Sequence, residues 1–292
     1  MAELPDITSP REIMNLFRYY GLHPLRHLGQ NFLIDANIVR KIVAAAEVGP
    51  GDGVIEVGPG AGALTLTIAR SGASLVVLEI DRGLVRLLDD LLQPWPTVKI
   101  LEQDVLKTDW RQLITTFKDG APIKLISNLP YNISGPFIYN LFEEGFPFNG
   151  AVLMFQKEVA HRLVAAPGDS DYGALSVISR YYTEGKILFA VSKNVFWPRP
   201  KVGSAVLKLE PRPRILNIEE EPLFWKLVRG VFQQRRKTIQ NSMLRVFALP
   251  RPLLSGLLAE ASIDPSSRPE ELSVEQFAKL TRITYNNFNK FS

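Results

Sequence analysis

Residues 53–65 read GVIEVGPGAGALT, a short apolar run followed at once by glycines at positions 58, 60 and 62. The run GVIEV is typical of a strand buried in a sheet, because its apolar residues are nearly continuous. Glycines at alternate positions let the backbone turn tightly and approach a ligand closely. A helical pattern, ALTLTIARSG, follows directly. The stretch therefore predicts a strand, a ligand-binding turn and a helix, the first unit of an α/β sheet.

Further stretches continue this alternation along the chain. SLVVLEI (74–80), VKILEQD (98–104), IKLISNL (123–129) and AVLMFQ (151–156) are nearly continuous in apolar residues, with helical patterns between them. Strand–helix units with such short crossovers predict a parallel, doubly wound Rossmann-like sheet. KILFAVS (186–192) and AVLKLEP (205–211) follow without a helix between them. This pair predicts a C-terminal antiparallel hairpin added to the sheet.

The pattern changes near PRPR (211–214), after which the apolar spacing is helical throughout. We expect residues 1–211 to form the α/β domain and residues 212–292 to form a small all-helical domain. REIMNLFRYYG (11–21) and DANIVRKIVAAAE (35–47) predict helices that precede the sheet.

Composition narrows the classes of function. The 292 residues are 46% hydrophobic and contain no cysteine and three histidines. Disulfides, thiolate zinc sites and cysteine nucleophiles are therefore excluded, and a histidine metal site is not expected. No apolar stretch reaches the ~20 residues that span a bilayer, and the start MAELPDITSP lacks the apolar core of a secretion signal. We expect a cytoplasmic, monomeric protein without a metal.

Charge is distributed unevenly. Residues 193–251 hold 13 lysines and arginines against four glutamates, a net charge of +9, which leaves about −5 for the other residues. A basic block of this kind favours a polyanionic partner, most simply a nucleic acid, over a solvated basic surface without a ligand.

Acidic residues lie at two consecutive strand ends. Glu79 ends the second predicted strand, where a carboxylate can accept both ribose hydroxyls, and Asp104 ends the third, where it can accept from an adenine amine. Each could instead be a helix cap. Gly58, Gly60 and Ala63 also satisfy the dinucleotide pattern G-x-G-x-x-G/A. The glycine loop lacks arginine, serine and threonine to hold phosphates, which favours S-adenosyl-L-methionine over NAD as the cofactor.

The segments LGQNFLID (28–35), EVGPGAGALT (56–65), NLPYNIS (128–134), VFWPRPKVGSAV (195–206) and QQRRKTIQNS (233–242) occur in this order. In these motifs the chain resembles the small-subunit ribosomal RNA adenine-N6,N6-dimethyltransferases of the KsgA type. The match spans nearly the whole chain. One departure is Gly203, where the family often has an acid after PKV, and we expect it to affect only a local turn.

The resemblance implies a role for each matched residue. Asn31 and Leu33 would close over the methionine part of the cofactor; read alone, their segment suggests a helix-entry turn. The loop of Gly58 and Gly60 would face the methionine and ribose. Glu79 would bind the ribose, Asp104 the adenine, and Asn128 both the cofactor and the target base.

The NLPY motif suits an amine nucleophile. The adenine N6 lone pair is delocalised into the ring, so acceptors for both N–H hydrogens favour a pyramidal, reactive nitrogen. The Asn128 side-chain carbonyl and the Leu129 backbone carbonyl are the candidate acceptors, and Pro130 locks the backbone between them and Tyr131. Tyr131 offers a stacking face for the base, and we expect Phe196 to supply the second. Alone, NLPY could be a simple turn, and Phe196 a core residue.

Basic side chains are expected to hold RNA phosphates, which fix register and carry little sequence information. The predicted set is Arg199, Lys201, Arg229, Arg235, Arg236, Lys237 and Arg245.

The cofactor motifs and the basic block predict an S-adenosyl-L-methionine-dependent methyltransferase that acts on a nucleic acid. The resemblance implies that it dimethylates N6 of two adjacent adenosines in the 3′-terminal hairpin loop of small-subunit (16S) rRNA. Its partner would be the rRNA of an immature small subunit, and its process ribosome biogenesis. Three alternatives remain open. One is an RNA-binding assembly factor with secondary methylation, the second is a large-subunit rRNA methylase that confers macrolide resistance, and the third is a NAD oxidoreductase.

Overall fold

The computed structural model describes residues 5–234 and 236–289. The chain groups into two compact units. One combines Met1–Ala160 with Gly185–Pro211, and the other combines His161–Glu184 with Arg212–Ser292. The division of the chain into domains at residue 211 stays a prediction.

The first unit carries the strands and the second carries the C-terminal helices. In chain order the strands are β1 (Phe32–Leu33), β2 (Gly53–Val57), β3 (Ser74–Glu79), β4 (Val98–Glu102), β5 (Ile123–Asn128), β6 (Gly150–Gln156), β7 (Thr183–Val191), β8 (Phe196–Trp197) and β9 (Ser204–Pro211). The helices are α1 (Pro10–Tyr19), α2 (Ala36–Ala45), α3 (Ala63–Ala69), α4 (Arg82–Leu92), α5 (Trp110–Ile114), α6 (Ser134–Glu143), α7 (Lys157–Val164), α8 (Ala174–Tyr182), α9 (Glu221–Val231), α10 (Ile239–Phe247), α11 (Arg251–Glu260) and α12 (Val274–Asn289).

Within the described residues, seven strands form one mixed sheet in the order β4-β3-β2-β5-β6-β9-β7. The pairs from β4 to β6 are parallel, and β9 runs antiparallel to β6. The predicted doubly wound sheet with added C-terminal strands is therefore confirmed. Because β2, β3, β4 and β5 are parallel, the loops that follow them meet at one edge of the sheet.

The sheet is covered on both faces. Val54 and Ile55 are neighbours in β2 and point to opposite faces, yet both are fully buried, and the adjacent Val76 and Val77 in β3 are 4% and 0% exposed. Continuous burial of this kind explains why the strands have continuous apolar runs in the sequence.

Two features were not predicted from the sequence. The segment between β6 and β7 forms α7 and α8. In addition, Phe32 and Leu33 pair with Trp197 and Phe196 in a separate two-stranded antiparallel sheet. Strands of two residues are too short to show a period in the sequence, so only their partners identify them. Among the described residues no helix combines the length and apolar character needed to cross a membrane.

In the helical unit, α9 and α10 pack closely at Gly230. A Cβ atom added to Gly230 would lie 2.9 Å from Cγ1 of Val246 and closer still to its Cγ2. Glycine is required here because a side chain would force the two helices apart.

We expect Gly230→Ala to lower the free energy of unfolding by about 1–3 kcal/mol, the usual cost of overpacking. Gly256→Ala is the matched control, since Gly256 lies inside α11 with no atom near the added Cβ. That change should raise the unfolding free energy by up to ~1 kcal/mol through helix propensity. Urea unfolding of both variants measures the difference, and equal midpoints would contradict the packing argument.

Candidate active site

A cavity opens at the edge of the sheet where β2, β3, β4 and β5 end. Its lining comes from segments 28–33, 56–64, 78–84, 103–105 and 128–133. All residues predicted to bind the cofactor are among those lining it, namely Asn31, Leu33, Gly58, Gly60, Glu79, Asp104 and Asn128. The predicted residues Leu129, Pro130 and Tyr131 line it as well.

The glycine turn after β2 packs directly against two of the other motifs. Gly58 has φ +62°, and a Cβ added there would lie 3.1 Å from Cδ of Pro130. Gly60 has φ +59°, and its added Cβ would lie 2.9 Å from Cδ1 of Phe32. Both positions combine a left-handed backbone with a lack of space, so larger residues are excluded for two independent reasons.

The two strand-end acids line the cavity and also support their own loops. Glu79 Oε1 accepts from the backbone N–H groups of Ile80 and Asp81, at 2.8 and 2.9 Å. Burial raises the pKa of Glu79 to about 7, although these N–H groups oppose the shift. Asp104 Oδ1 accepts from the backbone N–H of Leu106 at 3.0 Å and so caps a short 3₁₀ helix. Asp104 therefore caps the 3₁₀ helix and lines the cavity at the same time.

Glu56, the acid just before the glycine turn, was missed in the sequence as a site residue. It lines the cavity, is 1% exposed, and its Oε2 atom has no hydrogen-bond partner among the described residues. Burial raises the pKa of Glu56 to about 8, and the nearby charge of Glu79 adds to the shift. The signal available in the sequence was an acid inside an otherwise apolar strand, GVIEV.

Asparagines of the NLPYNIS motif hold the N-terminal segment beside the cavity. Asn128 Nδ2 donates to the backbone oxygen of Asn31 at 3.2 Å, and Asn132 Nδ2 donates to that of His27 at 2.9 Å. Gly29 lies between these contacts, and a Cβ there would be 2.6 Å from Asn132 Oδ1. Asn132 was not predicted, since nothing in the sequence indicates which backbone its amide contacts.

Gln30 anchors the same segment from the other side. Its Oε1 accepts from the backbone N–H of Leu25 at 2.8 Å, and its Nε2 donates to Asp81 Oδ2 at 2.8 Å. Asp81 also caps α4 through its other oxygen. The loop that follows Glu79 is thereby tied to the segment that carries Asn31.

The NLPY turn presents its polar groups at the cavity. The amide of Asn128 donates to Asn31, and no described residue donates to its side-chain carbonyl. The Tyr131 hydroxyl lies 2.6 Å from Ser204 Oγ, and burial raises the pKa of Tyr131. Ser204 begins β9 within the PKVGSAV segment, so the fold brings two of the quoted motifs together at this tyrosine.

Phe196 lies elsewhere. It is 3% exposed, does not line the cavity, and belongs to the same core cluster as Leu33 and Val191. The cause is the pairing of β8 with β1, which draws the ring into the core. Its stacking role stays a prediction, and it would require the ring to leave this packing.

The basic residues predicted to contact RNA are exposed in their own units. Arg199 and Lys201 lie in the first unit, and Arg229, Arg236, Lys237 and Arg245 lie in the second. Arg235 lies outside the described residues. In the part of the chain that is described, no cluster of three or more His, Cys, Asp or Glu side chains is placed to hold a metal ion.

The cavity fits S-adenosyl-L-methionine. Its glycine turn leaves room for close backbone contact, and Glu79 and Asp104 offer carboxylates to hydroxyl and amine donors. A positively charged group would also give the buried Glu56 carboxyl the partner that it lacks. Fold and site together define a Rossmann-like methyltransferase that uses S-adenosyl-L-methionine.

Comparison with known proteins narrows this class. The ribosomal RNA small subunit methyltransferases A of Bacillus cytotoxicus and Bacillus mycoides are 42% and 41% identical over 283 residues, which cover 95% of this chain and 97% of each relative. The family model "Ribosomal RNA adenine dimethylase" matches residues 24–285. The chain belongs to this family, and the resemblance inferred from its motifs is confirmed.

Solved structures agree with this assignment. A dimethyladenosine transferase from Plasmodium falciparum superposes with a TM-score of 0.72 at 27% identity, covering 88% of this chain and 97% of that one. The 23S rRNA methyltransferase ErmE has a TM-score of 0.64 at 26% identity, covering 87% and 99%.

The raised pKa of Glu56 predicts a pH dependence of stability. The folded protein holds this proton up to a pKa of about 8, while the unfolded chain releases it near the ordinary glutamate pKa of 4.5. The free energy of unfolding should therefore fall as the pH rises between these values, and Glu56→Gln should reduce that fall. Urea unfolding at pH 5 and pH 8 measures it, with the exposed Glu219→Gln as control. An equal fall in wild type and Glu56→Gln would contradict the prediction.

The Asn132 contact predicts a role in cofactor affinity. Asn132→Ala removes the hydrogen bond to His27 and the packing against Gly29, which frees the segment that carries Asn31. We expect the free energy of S-adenosyl-L-methionine binding to become less favourable by about 1 kcal/mol, which corresponds to about fivefold weaker binding. Calorimetry measures this affinity. Asn194→Ala, at an exposed position away from the cavity, should bind as wild type does. Unchanged affinity in Asn132→Ala would show that the contact is not needed.

Proposed function

We propose that the protein transfers two methyl groups to N6 of each of two adjacent adenosines in the 3′-terminal hairpin loop of 16S rRNA, during biogenesis of the small ribosomal subunit. The observation that carries the proposal is the NLPY turn at the rim of the cofactor cavity, in a chain of the ribosomal RNA adenine dimethylase family. Relatives named for the small ribosomal subunit, at 41–42% identity over nearly the whole chain, support this choice of RNA.

The cofactor is oriented by the residues of the cavity. Asn31 and Leu33 would contact its methionine part, Gly58 and Gly60 the methionine and ribose, Glu79 the ribose hydroxyls, and Asp104 the adenine amine. When bound, S-adenosyl-L-methionine supplies a methyl group on a positively charged sulfur. The apolar part of the lining excludes water from the reacting atoms, which strengthens every electrostatic contact there.

The adenine N6 amine would become reactive because two carbonyl groups hold it in a defined orientation. The free side-chain carbonyl of Asn128 and the backbone carbonyl of Leu129 would accept the two N6 hydrogens and direct the nitrogen lone pair into the cavity. Pro130 fixes the backbone that joins these acceptors to Tyr131. No strong base is required, because the nitrogen can lose its proton after the methyl group is transferred. Catalysis then rests on positioning and desolvation.

Tyr131 would hold the base. Its ring offers a stacking face worth about 1–3 kcal/mol by comparison with other base–aromatic contacts. The hydrogen bond between the Tyr131 hydroxyl and Ser204 limits rotation of this ring. We keep Phe196 as the proposed second stacking surface. An adenine in a stacked helix cannot reach the cavity, so the target must be unpaired or flipped out.

The rRNA of an immature small subunit is the proposed partner of a monomeric, metal-independent enzyme in the cytoplasm. Arg199 and Lys201, together with Arg229, Arg235, Arg236 and Lys237, would contact its phosphates. The net charge of +9 over residues 193–251 supports this assignment.

Two other functions are each separated from this one by a different experiment, the large-subunit methylase by the assay below and the assembly factor by complementation. The likeness to ErmE favours a large-subunit rRNA methylase as the second candidate. An assembly factor whose methylation is secondary would still support subunit assembly when Glu79 or Asp104 is replaced.

The deciding assay offers the purified protein radiolabelled S-adenosyl-L-methionine with unmethylated small subunits and, in a parallel reaction, with unmethylated large subunits, followed by mapping of the labelled nucleotides. We expect label in two adjacent N6,N6-dimethyladenosines of 16S rRNA. Label in 23S rRNA would instead assign the large-subunit function, and no labelled dimethyladenosine would refute the proposal.

Asn128→Ala tests the activation of the amine. We expect turnover to fall about a hundredfold, the usual loss for one positioned polar group at a reacting centre. Calorimetry should still detect binding of S-adenosyl-L-methionine, weakened no more than in Asn132→Ala because a single neutral hydrogen bond to Asn31 is lost, and Asn194→Ala should keep full turnover. Wild-type turnover in Asn128→Ala would remove Asn128 from the mechanism.

A further inference from the structure

A second cavity, of about 350 Å³, lies within the helical unit. It is lined by residues of α9, of the segment that follows it and of α10, among them Lys226, Arg229, Gln233, Gln234, Ser242 and Arg245. None of these residues takes part in the cofactor cavity described above.

The close crossing of α9 and α10 creates this cavity. Gly230 has no side chain, so α10 approaches at Val246 and brings residues of both helices to one concave surface. Lys226 and Arg229 are one turn apart on α9, while Ser242 and Arg245 are one turn apart on α10. Two pairs of residues on neighbouring helices therefore face one space.

The lining is strongly cationic. It includes Lys226, Arg229 and Arg245, and no aspartate or glutamate is among the described residues that line it. The Lys226 ammonium lies 5.3 Å from the centre of the Phe247 ring, and the Arg229 guanidinium lies 4.6 Å from that of Trp225. These cation–π contacts hold the Lys226 ammonium and the Arg229 guanidinium in place.

Ser242 gives independent support for a ligand. The residue is 2% exposed, it lines the cavity, and its Oγ atom has no hydrogen-bond partner in the described part of the chain. Buried hydroxyl groups in folded proteins almost always have a partner, so an unpaired one at the wall of a cavity indicates a missing acceptor.

We propose that this cavity is a phosphate-binding subsite that holds one phosphodiester group of the RNA substrate. Lys226 and Arg245 supply charged donors, the Ser242 hydroxyl supplies a neutral one, and the charge of Arg229 adds to the positive field of the lining. Arginine forks match the geometry of phosphate oxygens, and the absence of carboxylates in the lining removes competition for them. The inference rests on the proposed function, because it takes RNA as the substrate, and it assigns one phosphate contact to a defined place.

The test measures binding of unmethylated small ribosomal subunits over a series of salt concentrations. Arg245→Gln should weaken binding about tenfold and reduce the slope of log K against log [salt] by about 1, the value for one lost phosphate contact. Ser242→Ala removes only a neutral donor, so it should weaken binding about threefold without changing the slope. Lys279→Gln removes one exposed charge from α12, away from the cavity, and is the matched control.

Binding and salt slope in Arg245→Gln equal to those of Lys279→Gln, with Ser242→Ala like wild type, would overturn the proposal. A second arm adds inorganic phosphate without RNA and measures thermal unfolding. Stabilisation of wild type but not of Arg245→Gln, together with unchanged RNA binding, would assign the cavity to a free phosphate compound and overturn the RNA assignment. Circular dichroism of each variant confirms that the helices are intact.

The binding assay is independent of methyl transfer. If wild type binds small subunits without producing dimethyladenosine, the proposed function fails while the subsite is still tested. If wild type methylates 16S rRNA and Arg245→Gln binds like the control, only the subsite fails.

Discussion

The contact of the glycine turn with Pro130 and Phe32 is the constraint on which the candidate active site depends. Cβ atoms at Gly58 and Gly60 would lie about as close to these rings as non-bonded atoms can come. The turn after β2, the NLPY turn after β5 and the segment containing β1 therefore pack as one unit. Because the backbone of the glycine turn packs against the side chains of Pro130 and Phe32, the positions of the residues that face the cofactor and of those that would accept from the amine depend on one another.

This arrangement places two carboxyl groups where the free protein does not stabilise their ionised forms. Glu56 and Glu79 are both buried at the same cavity, and burial raises the pKa of each to about 8 and about 7. Their ionisation is unfavourable until a donor or a cation lies beside them. A cofactor with a positive charge would favour the ionised forms, so its binding should lower both pKa values and release protons.

The sequence predicted those parts of the fold that repeat or that carry a strong local pattern. Continuous apolar runs identified the strands of the large sheet, and strand-end positions identified Glu79 and Asp104 as cavity residues. Pairing of β1 with β8 was not predictable, because it joins two-residue segments far apart in the chain. The same pairing places Phe196 in the core, away from the predicted stacking position.

Contacts that single side chains make with residues far away in the chain could not be predicted from the sequence either. The hydrogen bond from Asn132 to His27 spans 105 residues, and that between Tyr131 and Ser204 spans 73. Neither leaves a periodic signal, since each depends on the folded positions of two loops. Glu56 differs, because a charged residue inside the strand GVIEV was visible in the sequence and indicated an unusual environment.

Target choice must come from outside the cofactor cavity. The fold is shared with ErmE, which is named for 23S rRNA, and with a dimethyladenosine transferase, at TM-scores of 0.64 and 0.72. A common fold cannot by itself distinguish one rRNA from another. Phosphate contacts carry register but little sequence information, so several of them at fixed positions would recognise the shape of a folded RNA. A defined phosphate subsite in the helical unit would be one such contact. It would contribute to recognition through its distance from the other phosphate contacts.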